Sequence, residues 1–401
     1  DGVVPDVIPA YPLKNRSTGD PAWAGNYPLV VWHVYQTYDD RRLLESHYPN
    51  MKRWLDHLTT LANAEHLIEK GGYYGDHMLP GKAPGEETFV SKETPQGLLW
   101  TGYYYLDAWI VAQTARILGD EDDAATYSRL ANAIHTALNR TWFDTAHNAY
   151  ASGSQTANAF ALALGVVPTN TQEKVLDSLT TDIMEKRRGH LHTGNIGTTA
   201  VVDALAGLGR ADTFYSVATS TEYPGWGYMV SQGATTIWEA WGNVQDGFIG
   251  YNSGEDSMPM FASIEKFFIN DLAGIEGPDF YGTKTLSPGF REIRIRPRVV
   301  GDLTDAMASI RTVRGIVRVA WRRQAGSLEM DASIPVNSHA RISIPKLQLR
   351  HVTVAERGKT LWENGGFVGG VPGITAGVDD MDYITFDTGS GSYEFILKGL
   401  D

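Results

Sequence analysis

The chain has 401 residues, 42% hydrophobic and 11% aromatic, enough to bury two or three domain cores and too apolar for a disordered segment. Its formal net charge of −13 argues against nucleic acid and anionic membrane surfaces as partners, and no apolar run approaches the ~18 residues a spanning helix needs. Cysteine is absent, which excludes a disulfide framework, a thiol nucleophile and a Cys metal site; this is common in secreted or periplasmic bacterial proteins, the location expected here.

The chain opens at Asp1-Gly2-Val3-Val4-Pro5 with neither Met nor leader, which reads as mid-protein sequence. Asp20-Pro21-Ala22-Trp23 reads as the start of a helix, with Asp20 as N-cap and Pro21 at the first helical position. A polar and aromatic cluster follows at Tyr73-Tyr74-Gly75-Asp76-His77. Apolar residues then recur at helical spacing over 96–118, 121–140, 155–165, 171–186, 195–208 and 256–273, the last with Pro259 in its first turn. Gly119-Asp120 and Val167-Pro168-Thr169-Asn170 punctuate these segments. Paired helices predict an αα-hairpin toroid or a solenoid, and the lack of a fixed period disfavours a strict repeat protein. His190 and His192, in His190-Leu191-His192-Thr193-Gly194-Asn195, have no further Cys or His nearby in sequence. They read as hydrogen-bonding groups rather than metal ligands.

Near residue 285 the texture changes. After Ser287-Pro288-Gly289, Ile293, Ile295 and Val299 alternate with Arg294, Arg296 and Arg298, the pattern of a half-buried strand. Further strands are expected at 316–321, 327–334, 340–345, 351–356 and 392–397, and a Gly-rich loop at 364–376. The predicted domains are therefore a helical one, 1–284, and an antiparallel β-sandwich or jelly roll, 285–401. The Arg-rich strands over 291–323 read as the solvated outer face of a sheet.

The densest chemistry lies in 223–241. Glu239 stands between Trp238 and Trp241, where indoles would partly desolvate the carboxylate, raise its pKa and suit it to general base work. A salt-bridged structural carboxylate is the competing reading. Gly225, Gly227 and Gly233 allow backbone to approach a ligand closely. No Gly-x-Gly-x-x-Gly segment follows a strand at a helix start, and no Gly-x-Ser-x-Gly elbow occurs, so dinucleotide and Ser–His–Asp chemistry have no anchor.

An ordered series of segments resembles the bacterial α-L-rhamnosidases of glycoside hydrolase family 78. It runs through Gly2-Val-Val-Pro5-Asp6-Val7, Thr18-Gly19-Asp20-Pro21-Ala22-Trp23, Gly75-Asp76, Thr101-Gly102-Tyr103-Tyr104-Tyr105, Gln155-Thr156-Ala157 and His192-Thr193-Gly194. It continues through Tyr223-Pro224-x-Trp226-Gly227-Tyr228-Met229, Gly233-Ala234-Thr235-Thr236-Ile237-Trp238-Glu239-x-Trp241, Pro259-Met260-Phe261 and Pro288-Gly289-Phe290. The resemblance implies an (α/α)6 barrel followed by a β-sandwich, and inverting hydrolysis of terminal α-L-rhamnose. One carboxylic acid protonates the leaving oxygen while a second carboxylate activates water, and no cofactor or metal is needed. It assigns Glu239 as general base and makes Trp23, His77, His192, Trp226, Trp238 and Trp241 pocket residues. Asp6, Asp20 and Asp76 become candidate hydroxyl-binding carboxylates.

Three departures from the family pattern bear on this. The family's general-acid segment lies upstream of the point where this chain begins, and the chain shows only about eight or nine helical segments for a toroid of six hairpins. The first helices are therefore expected in an upstream part of the same protein. His77 replaces the Trp of the family's Gly-Asp-Trp turn, and Ser257-Met258 replaces its Asn-His. The alternatives are an inverting hydrolase for another sugar, or a catalytically inactive carbohydrate-binding scaffold.

Overall fold

The structure, a computed structural model, describes residues 2–6, 19–84, 86, 88–242, 261–284 and 286–400. Two compact units emerge: residues 1–35, 40–263 and 279–284 form the first, and 36–39, 264–278 and 285–401 the second. Met258 and the Pro259-Met260 pair lie outside the described residues, as does Val7.

The first unit begins with α1 (Pro21–Ala24), α2 (Asn26–Tyr38) and α3 (Arg41–Leu61), then a short hairpin of β1 (His77–Leu79) and β2 (Thr88–Val90). It continues with α4 (Gln96–Leu118), α5 (Glu121–Trp142), a small β3–β4 hairpin (Phe143–Asp144, Ala149–Tyr150), α6 (Gln155–Ala163) and α7 (Gln172–Thr181). Then come α8 (Asn195–Gly207), α9 (Ala211–Thr219) and α10 (Trp226–Ser231). Side-chain caps set several starts: Asp40, Asp120 and Ser154 accept from Arg42, Asp123 and Ala157 N–H. Gly119, at φ 87°, ends α4 in the left-handed region that a side chain would resist.

Burial sorts these helices into two kinds. In α6 all nine residues are buried, and in α8 Ile196 through Ala206 are buried without a break. By contrast α5 buries only Ala124, Ala131, Ile134, Ala137 and Leu138, and α7 only Val175, Leu176 and Leu179. A helix apolar all round must be enclosed, whereas a striped one covers it from outside. The contacts follow this logic, with α4 against α5, α6 against α7 and α8, and α8 against α9. Small residues allow the enclosed helices to approach. A Cβ at Gly102 of α4 would overlap Phe160 Cε1 of α6 and sit 2.7 Å from its Cζ. One at Gly197 of α8 would overlap the Thr156 hydroxyl of α6.

Most expected helices stand within a residue or two of their predicted bounds, with two differences. The 171–186 segment is α-helical only to Thr181 and continues as a π-helical turn, Asp182–Lys186. Among the described part of 256–273, only Ile264–Lys266 is α-helical, followed by π-helical Phe267–Leu272 in the second unit.

The second unit is a β-sandwich. One sheet has the order β12-β11-β10-β15-β8-β7-β6, the other β13-β14-β9-β5. Its strands are β5 (Glu292–Ile295), β6 (Asp305–Thr312), β7 (Gly315–Gln324), β8 (Ser327–Ile334), β9 (His339–Pro345) and β10 (Arg350–Glu356). The remainder are β11 (Lys359–Glu363), β12 (Gly366–Phe367), β13 (Ile374–Asp379), β14 (Tyr383–Thr388) and β15 (Gly391–Leu400). Pairing is antiparallel except for β5 beside β9. Alternate residues point inward: Val317, Val319 and Trp321 on β7, Leu328, Met330 and Ala332 on β8, and Ala340, Ile342 and Ile344 on β9. Phe386 of β14 stacks on Phe395 of β15 at 5.7 Å, joining the two sheets. The stretch expected as a loop at 364–376 contains β12 and the first residues of β13, and the strand opened by Ile293 ends at Ile295, before Pro297.

Candidate functional site

Three loops of the first unit converge on one set of residues. Asp20 caps α1 through the Ala22 N–H at 2.8 Å, and its other oxygen accepts the N–H groups of Tyr73 and Tyr74 at 2.6 and 2.7 Å. Its own N–H donates to Asp6 Oδ1. Burial pushes the Asp20 carboxyl up to about 6, against the pull of those amides. The clamp brings Tyr74 under Trp23, the two rings stacked at 4.3 Å with 14° between planes. His77 stands edge-on to both, at 5.9 and 6.1 Å.

His77 is 3% exposed, and its Nδ1 lies 2.6 Å from the Phe89 carbonyl oxygen. A carbonyl only accepts, so Nδ1 carries the hydrogen and Nε2 keeps its lone pair. Burial lowers the His77 pKa to about 4, with the Phe89 bond opposing, so the ring is neutral at pH 7.

Asp76 is fully buried and ties this segment to the start of α8. One oxygen accepts the Gly194 N–H at 2.8 Å and the Thr156 hydroxyl, and the other accepts the Gly197 N–H at 2.9 Å. A carboxylate at a helix N-terminus meets amide donors that would otherwise be orphaned. Burial still raises its pKa. Asn195 completes the joint by accepting the His77 N–H through Oδ1. A cavity of about 270 Å³ opens beside these groups, lined by Ala22, Trp23, Asn26, Tyr103, Asn195, Ile196, Thr199 and Phe280.

The expected site residues thus fall into groups. Trp23 faces the cavity and stacks against the Tyr74–His77 segment. Asp20 and Asp76, expected as hydroxyl-binding carboxylates, are buried, with both oxygens of each engaged by internal donors; they hold the walls and line no described cavity. Trp226 and Trp241 are buried and meet edge to face at 5.2 Å. Their indole N–H groups donate to the Phe261 and Thr193 carbonyls. Trp238 is buried, and its Nε1 has no hydrogen-bond partner among the described residues. Glu239 lies half-buried in the irregular stretch between Trp238 and Trp241. Through Thr193, the Trp241 bond ties that stretch to Gly194 and hence to Asp76.

His192 lies elsewhere. Its N–H donates to Gln155 Oε1 and its Nε2 is 3.2 Å from Glu93, in a groove of about 540 Å³. Burial lowers its pKa, with Glu93 opposing. His190 bonds instead to the Pro224 carbonyl and approaches Glu222 at 3.5 Å. Sequence reasoning did not single out Asn26, Tyr103, Asn195 or Phe280. Asn195 carried a signal, a polar residue directly after His-Thr-Gly at a helix start; Phe280 carried none.

The bacterial α-L-rhamnosidase six-hairpin glycosidase domain matches residues 1–272, and the bacterial α-L-rhamnosidase C-terminal domain matches residues 282–359. A curated α-L-rhamnosidase of Streptomyces avermitilis is 29% identical over 374 residues, covering 91% of this chain and 34% of the relative. One from Formosa agariphila is 28% identical over 346 residues, covering 86% and 36%. The structure of α-L-rhamnosidase from Dictyoglumus thermophilum matches with a TM-score of 0.87 and 32% identity, over 99% of this chain and 42% of that one. The Streptomyces avermitilis enzyme complexed with L-rhamnose matches with a TM-score of 0.82 and 28% identity, over 99% and 34%. The chain spans about a third of the curated relatives' length. With a helical unit and a β-sandwich each matched by its own domain, the chain belongs to the bacterial α-L-rhamnosidase family.

Proposed function

We propose that this chain supplies the sugar-binding pocket and the general base of an inverting exo-α-L-rhamnosidase. The observation that carries the reading is the Trp23 cavity, in a chain of this family that resembles a relative known in complex with L-rhamnose. At about 270 Å³ it is at the small end of ligand sites, which supports a single terminal sugar ring rather than an oligosaccharide. The indole of Trp23 offers an apolar surface to such a ring, while Asn26 and Asn195 offer amide groups to hydroxyls.

In this reading Glu239 takes a proton from the water that attacks the anomeric carbon. A carboxylic acid roughly 6.5–9.5 Å away protonates the departing glycosidic oxygen. Glu239 is half-buried in a stretch held by the buried Trp238 and Trp241, an environment that supports a partly desolvated base. We assign the acid to an upstream part of the same protein, a reading supported by the greater length of the relatives.

The test is release of 4-nitrophenol from 4-nitrophenyl α-L-rhamnopyranoside by the full-length protein and its Glu239→Gln variant. Turnover is expected to fall about 10²- to 10⁴-fold in the variant, with L-rhamnose affinity nearly unchanged. Wild-type turnover in the variant would remove Glu239 as base. If the parent cleaves other aryl glycosides but not this one, the sugar assignment fails.

A further inference from the structure

The stretch that carries Glu239 has no regular backbone structure. Residues 235–242 form neither helix nor strand, so no helical or strand ladder sets where the carboxylate stands. Side chains must do so, and Trp241 is placed for the task. Its indole is fully buried, edge to face with Trp226 at 5.2 Å and tilted against Phe261 at 4.5 Å. These contacts hold the ring sideways, and its Nε1–H sets the depth by donating to the Thr193 carbonyl at 2.8 Å. Trp238 is equally buried, but its N–H has no partner among the described residues.

The Thr193 carbonyl is itself fixed from two directions. It shares a trans peptide with the Gly194 N–H, which donates to Asp76 at 2.8 Å. The two groups of a trans peptide point opposite ways, so carboxylate, peptide and indole form one hydrogen-bonded line. One residue earlier, the His192 N–H donates to Gln155 Oε1 at 2.8 Å. Gln155 is 2% exposed, and its Nε2 donates to the His190 carbonyl at 3.3 Å and to Asp182 Oδ1 at 3.0 Å. None of these bonds is needed to start α6, because Ser154 already caps that helix. The Gln155 amide thus commits its acceptor and a donor to the segment that ends in Thr193.

We propose that Gln155 and Trp241 are positioning residues for the general base. Gln155 fixes the 190–193 segment, and Trp241 hangs the Glu239 stretch from it. The inference rests on the rhamnosidase reading and deepens it. Neither residue lines the Trp23 cavity, and Asn195, which does, is flanked by Gly194 and Gly197, both held by Asp76. Loss of either residue therefore moves the base and leaves the sugar wall in place. A general base must stand within hydrogen-bond reach of its water, and a displacement of about 1 Å costs about 10²-fold in rate.

The experiment measures kcat and KM for 4-nitrophenyl α-L-rhamnopyranoside, and L-rhamnose affinity by calorimetry, in the full-length protein. The variants are Gln155→Met, which keeps the length without the amide, Trp241→Phe, which keeps a ring without the N–H, and the double variant. Each single variant should lose about 10- to 100-fold in kcat, with KM and L-rhamnose affinity within about threefold of wild type. Because both act through Thr193, the double variant should lose about as much as the worse single one, not the product of the two. Multiplying losses, losses confined to KM, or a wild-type kcat in Trp241→Phe would overturn the proposal. If one single variant loses L-rhamnose binding, the other decides by its own kcat and KM; loss of binding in both assigns these residues to the pocket and overturns it as well. A parent protein that cleaves no rhamnoside removes the underlying reading, an outcome seen before any variant is compared.

Discussion

Replacing Asp76 with Ala removes the acceptor that joins β1 to the start of α8. Three donors lose their partner: the N–H groups of Gly194 and Gly197 and the Thr156 hydroxyl. Hydrogen bonds to a charged group contribute about 1.5–3 kcal/mol each, and burying the carboxylate without charge compensation costs part of that back. The helical unit should therefore lose about 3–5 kcal/mol. Thr156→Val removes only one donor and should cost about 1–2 kcal/mol. The assay is urea unfolding of the full-length protein followed by far-UV circular dichroism, comparing midpoints at constant m. An Asp76→Ala loss below that of Thr156→Val would refute the claim that this carboxylate is the joint. A large loss with unchanged turnover would show that the joint bears on stability alone.

Two further expectations follow from burial. Asp20 has its pKa raised to about 6, so its ionised form is disfavoured in the fold and stability falls as pH rises from about 4 to 6. The difference amounts to about 3 kcal/mol across that window, and Asp20→Asn should flatten it; an identical pH profile of urea midpoints in the variant would rule it out. Gly102→Ala forces a methyl into Phe160 at the α4–α6 contact, costing about 1–3 kcal/mol. A melting temperature equal to wild type would show that these helices can separate without loss.

Much of the helical unit was legible because its signals are local. Asp20 before Pro21, and Gly119 after Leu118, are cap chemistry that a few residues decide, and α4 through α8 carry apolar residues at helical spacing, whereas α9 was not anticipated. The π-helical turn at Asp182–Lys186 was not legible, since its sequence carries the same apolar spacing as the helix before it. In the sandwich, strands with a clean alternation such as β7 and β8 were anticipated. β6 was missed because two of its three inward residues, Ala306 and Ala308, are small and the apolar Met307 points outward, so only Ile310 marks the face. β14 was missed because Tyr383 through Phe386 are buried on both sides, which erases the alternation.

The site divides along the same line. Its aromatic and acidic members were visible as residue types, but which of them face a ligand depends on partners far away in sequence. Asp76 looks like a binding carboxylate until Gly194 and Gly197 are brought beside it, 118 and 121 residues on. Phe280 joins the cavity only because the chain returns to α8, where its N–H donates to Asp203.

The state of His77 has a consequence for the conditions under which the protein can work. A histidine with an ordinary pKa changes from acceptor to cation over the range where soils, guts and culture media vary most. Held near 4 and fixed by Phe89, this ring is instead a constant: from about pH 5 upward it offers the same lone pair in the same place. Buried and outside the lining of the Trp23 cavity, the ring keeps its neutral form and its bond to Phe89, so acidification of the surroundings leaves its packing against Trp23 and Tyr74 as it was until the medium is far more acidic than histidine chemistry would ordinarily tolerate.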